Sequence, residues 1–153
     1  MPSLELKIPP PAVALVVAGA MWWVAGSSTS VDAPAETRIA AALILAAIGA
    51  AFDVAGLIAF RRAKTTVNPM KPEKSAALVS GGVYRITRNP MYVGMVFILL
   101  AWAAYLASPW ALLGPLTFAA YITRFQIKPE ERVLATRFGA EFAAYQARVR
   151  RWL

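Results

Sequence analysis

With 153 residues, 59% of them hydrophobic, and a net charge of +8, the chain is too apolar for an ordinary soluble domain and short enough to form one unit. It contains no histidine and no cysteine, which excludes disulfides, Ser-His and thiolate nucleophiles, Cys or His metal clusters and a near-neutral imidazole base. The apolar share points to a membrane protein.

A polar lead ends in Pro9-Pro10-Pro11, which cannot continue a helix but begins one. The apolar run at 12–26 then gives a first span over 9–27, with the Trp22-Trp23 pair placed near an interface. A cleaved signal peptide is the competing reading, because Lys7 precedes this run and small residues follow it. The second run, 39–60, has the length a bilayer needs and ends at Arg61-Arg62. Only Asp53 interrupts it chemically, about 12 Å up the helix from Arg61. An acid at that depth is costly and calls for a partner, with Arg124 or a ligand amine as candidates. The plainer reading is a protonated or hydrogen-bonded packing residue. Gly49 and Gly56 on the same run let helices approach closely.

The connection over 61–80 is basic, carrying Lys64, Lys71 and Lys74 against Glu73, with Pro69 and Pro72. It leads into Gly81-Gly82-Val83-Tyr84-Arg85-Ile86-Thr87-Arg88-Asn89-Pro90-Met91-Tyr92-Val93-Gly94, where charge meets the start of an apolar run. Asn89-Pro90 marks a helix start. Its free N–H groups, beside Arg85 and Arg88, suit a carboxylate or phosphate. The third span is expected at 91–107. Ser108-Pro109 then breaks the chain as an N-cap residue and first-turn proline, and a fourth span returns over 109–125 with Pro115 as a kink site. Pro129-Glu130-Glu131 opens an amphipathic helix over 129–151, in which Leu134, Phe138, Phe142, Tyr145 and Val149 recur at spacings of three and four. Gly139 is the point where that helix splits.

Lysine and arginine gather at 61–88 and 124–151, whereas Arg38 alone falls in a loop on the opposite side. The positive-inside rule therefore places both segments and both termini in the cytoplasm, which four spans satisfy. The expected protein is all-α and polytopic, with four transmembrane helices plus a C-terminal amphipathic cytoplasmic helix in one domain over 1–153. Its expected location is the bacterial inner membrane. The basic excess reads as topology and attraction to anionic lipid, with no nucleic-acid partner and no metal.

Leu78-Val79, then Gly82-x-Tyr84-x-x-x-Arg88-Asn89-Pro90-x-Tyr92-x-Gly94, then Glu130-Glu131-x-x-Leu134-x-x-x-Phe138-Gly139-x-x-Phe142-x-x-Tyr145 and Val149-x-Arg151-Trp152 resemble the isoprenylcysteine carboxyl methyltransferase family and its phospholipid-methyltransferase relatives. The likeness covers roughly the C-terminal half and implies a membrane enzyme using S-adenosylmethionine on a lipophilic acceptor. Carried over by position, it implies a cofactor site of Leu78, Val79, Tyr84, Asn89, Pro90, Met91, Tyr92 and Glu130. Two positions depart from the family pattern. Asn89 stands where histidine is usual, and an amide takes no proton near neutrality. Gln126 stands where the eukaryotic prenylcysteine enzymes carry a substrate-associated arginine.

Within this resemblance, Tyr84 and Tyr92 offer ring faces or hydroxyls to the cofactor, Arg88 its charge to the cofactor carboxylate, and Glu130 an acceptor for ribose or amino hydrogens. Arg88, Asn89 and Tyr92 take positioning roles in catalysis, and Gln126 and Asp53 are candidate substrate residues. The plainer readings are interfacial tyrosines, lipid-phosphate contacts for Arg85 and Arg88, and helix-end charge compensation for Glu131. Two other functions compete: a membrane reductase using NADPH, and a small four-span transporter.

Overall fold

Pro10 and Pro90 each open a helix, where a missing N–H is harmless, and so set where much of the chain begins to coil. The computed structural model describes residues 4–63 and 77–153. Lys64, Pro69, Lys71, Pro72, Glu73 and Lys74 of the expected basic connection lie outside the described residues. The described residues form helices and no strand, in the order α1 (Pro10–Gly26), α2 (Ala35–Arg62), α3 (Pro90–Leu106), α4 (Leu113–Ile122) and α5 (Lys128–Arg148). The expected all-α class is correct. Helix α2 is longer than its apolar run because Pro34 caps it and Glu36 suits its first turn, with Arg61 and Arg62 at the opposite pole of the dipole.

Helices α2 and α3 pack antiparallel along their length. At one end Arg38 donates to the Tyr105 carbonyl at 2.5 and 3.0 Å, in the middle Phe52 stacks on Phe97 at 6.0 Å, and at the other end Gly56 meets Met91. Glycine makes the close approach. A Cβ added to Gly49 would lie 2.8 Å from the Gly94 carbonyl oxygen, and one added to Gly94 would enter the Asp53 carboxylate. Gly94→Ala is therefore expected to cost about 1–3 kcal/mol, seen as a lower unfolding midpoint in detergent.

Helix α1 lies across α3 and α4, with the Trp102 indole donating to the Ala18 carbonyl at 3.1 Å and Met21 seated on Gly114. Phe118, Ile122, Ile127 and Leu99 form the centre of this packing. Ala107 adopts a left-handed φ of 49° to end α3, and a 3-10 turn over Pro109–Leu112 leads into α4. Ser108 is the N-cap of that turn, but its hydroxyl meets Ser28 at 3.0 Å instead of the turn's backbone.

Two expectations change. Pro115 falls in the first turn of α4 and does not kink its middle. The fourth span and the C-terminal helix are not separate elements, since a π-helical turn over Thr123–Ile127 carries α4 directly into α5. Among the described residues, Ala35–Arg62 is the one helix with the full length and apolar composition of a membrane span, and the apolar helices Pro10–Gly26 and Pro90–Leu106 are shorter. Gly139 does interrupt α5, at φ 47° and ψ −120°. That break turns Phe142 and Tyr145 onto Tyr84, and the Tyr145 hydroxyl donates to the Tyr84 carbonyl at 2.7 Å.

Candidate functional site

Arg88, Arg124, Arg132 and Arg151 gather at one end of the bundle, where the starts of α1 and α3, the π turn and the chain after α5 meet. Leu6 N–H donates to the Phe125 carbonyl at 3.0 Å, and Glu5 bridges Arg124 at 2.7 Å and Arg132. The polar centre of this end is the Tyr92 hydroxyl, which donates to Glu130 Oε1 at 2.8 Å. Gln126, almost fully buried, donates its side-chain N–H to the same oxygen at 2.7 Å.

The π turn explains this convergence. An extra residue in the helical turn shifts the side-chain register, and the bulge falls where Gln126 and Glu130 face Tyr92. Tyr84 lies within electrostatic reach of Glu130, and burial drives the Tyr84 hydroxyl well above its usual pKa. Burial of the Glu130 carboxyl raises its pKa to about 7, against the hydrogen bonds from Gln126 and Tyr92 that favour the ionised form. The arrangement is a carboxyl group with a pKa of about 7, hydrogen-bonded by a phenol and an amide, with Tyr84 within electrostatic reach.

A second cluster stands beside it. Glu131 accepts from Arg88 Nη2 at 2.7 Å and from Arg151 at 2.7 and 3.0 Å, while Arg88 Nη1 also reaches the Val149 carbonyl at 2.6 Å. Burial alone would raise the Glu131 pKa, but the hydrogen bonds from Arg151 and Arg88 hold it below the ordinary value. Thr87 Oγ1 and the Asn89 amide both donate to the Arg151 carbonyl, at 3.2 and 2.8 Å, and Arg88 N–H donates to the Arg150 carbonyl at 2.9 Å. Trp152 completes the clasp by donating to Thr123 at 3.2 Å.

The structure therefore sorts the expected site residues into three groups. Tyr84, Tyr92, Gln126 and Glu130 come together. Arg88 and Asn89 hold the C-terminal tail, although the Arg88 Nε is buried with no partner. Leu78 and Val79 pack on the Tyr84 cluster, Pro90 begins α3, and Met91 faces α2. At the helix start, Asn89 N–H donates to Thr87 Oγ1 at 3.1 Å and Tyr92 N–H to the Asn89 carbonyl at 3.0 Å. Arg85 points outward. Asp53 lies against Gly94 and does not pair with Arg124, which is held by Glu5 on another face of the bundle.

Reading the sequence missed the tail clasp and the weight of Glu131. The signal was present in the opposite charges of Glu131 and Arg151, which a reading of Glu131 as helix-end compensation left unpaired.

The phospholipid methyltransferase profile matches residues 37–141. An uncharacterized protein of Haemophilus influenzae is 44% identical over 63 residues, covering 41% of this chain and 100% of that protein. No solved structure matches the chain.

Proposed function

Because the chain belongs to the phospholipid methyltransferase family, we propose that it is an integral membrane enzyme transferring a methyl group from S-adenosylmethionine to a lipid-like acceptor. The observation that carries this reading is the junction of Tyr92, Gln126 and Glu130, with Tyr84 beside it, at the basic end of the bundle. Neither an NADPH-dependent reductase nor a transporter draws support from the family match.

In this reading α1, α2, α3 and the continuous helix running from α4 through the π turn are the four spans. The 17-residue helices reach about 25 Å, enough for a bilayer core with local thinning. The basic end faces the cytoplasm, as the positive-inside rule requires, and the bacterial inner membrane is the proposed location.

The residues present fit the cofactor. Glu130 accepts hydrogen bonds from hydroxyl or ammonium groups, Tyr84 and Tyr92 offer aromatic faces to a cation, and the unpartnered Arg88 Nε is a buried donor for a carboxylate. Leu78, Val79, Pro90 and Met91 shape the apolar surround, and Asn89 fixes the tail that closes it. When bound, S-adenosylmethionine supplies a methyl already activated by positive sulfur, with a neutral thioether as leaving group. The protein's share is positioning and exclusion of water, which requires no histidine.

Deuterated-methyl S-adenosylmethionine incubated with purified protein and total membrane lipid should yield a lipid heavier by the labelled methyl in mass spectra. Spectra identical with and without protein would defeat the proposal. Binding of the cofactor should strengthen as pH rises through about 7 and level off above it, because the ionised Glu130 is the acceptor. Below that the loss approaches about tenfold per pH unit, and Glu130→Gln should flatten the profile.

A further inference from the structure

Away from the Tyr92 cluster, a groove of about 770 Å³ runs between α1 and α2 with α3 as its floor. Its volume falls within the roughly 300–1,000 Å³ of ligand sites. Leu15 and Ala18 form one wall, Leu43 and Ala46 the other, and Ile98 and Trp102 the floor. From Ile39 to Asp53 it extends roughly 21 Å along α2 at the helical rise.

One charged side chain lines this surface. Asp53 is pressed against Gly94, and its Oδ1 is buried with no hydrogen-bond partner. Asp53 nonetheless lines the groove's end, where an acid among apolar walls favours a ligand able to donate to it. The position is also informative. Met95 lines the groove and packs against the cluster containing Tyr92, so the Asp53 end of the groove abuts the face of α3 that carries Tyr92.

We propose that this groove binds the hydrocarbon chain of the methyl acceptor, and that Asp53 selects its head. The occupant is a single-chain amphiphile whose head donates hydrogen bonds and carries no negative charge. The apolar walls present a continuous surface to an alkyl chain, and the carboxylate meets an ammonium favourably but repels a carboxylate head. The word acceptor rests on the methyltransferase reading; binding in the groove does not.

The test uses the full-length protein in non-ionic detergent without cofactor, and hexadecylamine bearing a diazirine at its chain end. Photolysis should label α3 near Trp102 and Tyr105, and unlabelled hexadecylamine should compete about tenfold better than hexadecanoate. Asp53→Asn should retain the labelling and erase the preference, and Leu43→Trp, which fills the groove from an exposed position, should abolish labelling. Equal competition by amine and acid in the wild type, or labelling untouched by Leu43→Trp, would overturn the proposal. Methyl transfer to lipid without groove labelling would overturn the groove alone. Labelling as described without methyl transfer to any lipid would support the groove and count against the enzyme reading alone.

Discussion

Glu131→Ala is expected to lower the stability of the protein by about 3 kcal/mol or more, measured by denaturant unfolding in detergent. The reason is the charge left behind. Arg88 has only 11% of its side chain exposed, and Glu131 is its acidic partner at 2.7 Å. Removing one member of a largely buried pair costs about 3–5 kcal/mol, mainly because the other remains desolvated and unpaired. The same carboxylate also holds Arg151, so the tail that caps the Tyr92 cluster should loosen and become accessible to protease. Arg151→Ala should cost less, about 1 kcal/mol, since that side chain is 35% exposed and water replaces much of what is lost. The pH dependence follows from the lowered pKa of Glu131. Its stabilisation is present above the ordinary value of 4.5 and is lost as pH falls through the folded-state value. Equal unfolding of wild type and Glu131→Ala would show that the clasp does not hold the tail.

Glu130→Gln should behave in the opposite way, keeping the fold while weakening S-adenosylmethionine binding by about 100-fold, or about 2.7 kcal/mol. The fold is kept because the substitution is nearly isosteric and the glutamine oxygen still accepts from Tyr92 and Gln126. Stability should even rise at pH 8. Burial raises the folded pKa of Glu130 from 4.5 to about 7, so ionisation opposes folding progressively as pH rises through that interval. A neutral amide escapes this cost. Binding falls because the charged acceptor at the centre of the cluster is gone, and hydrogen bonds to an ionised group are about twice as strong as neutral ones. Adjacent glutamates thus carry separable roles, Glu131 for the clasp and Glu130 for the ligand.

Much of the fold was legible because proline and charge punctuate the sequence. Pro10 and Pro90 start helices where expected, and Gly139 breaks α5 where its freedom at positive φ is needed. The union of α4 and α5 was not legible. Arg124 and Lys128 signal an exit from the apolar run, yet a polar sequence does not by itself end a helix, and the π turn is stabilised by the packing of Ile122 and Ile127 in the core. At the site, the resemblance named Tyr92 and Glu130, and the structure joins their side chains directly. It also named Arg88 and Asn89, but spacing alone did not reveal that they grip residues 149–151. That contact spans some 60 positions along the chain, and depends on the turn at Gly139. For Asp53 the depth was readable and the direction was not, because the face of α2 that meets Gly94 is set by where the glycines allow α3 to approach.

Equilibrium binding of labelled S-adenosylmethionine to the detergent-purified, folded protein at pH 8 bears most directly on this account. Saturable binding that Glu130→Gln weakens about 100-fold, with unfolding behaviour preserved, is the expected result. A folded wild-type protein that takes up no cofactor, or a Glu130→Gln variant that binds it as tightly as wild type, would contradict the assignment of this end of the bundle as the cofactor site.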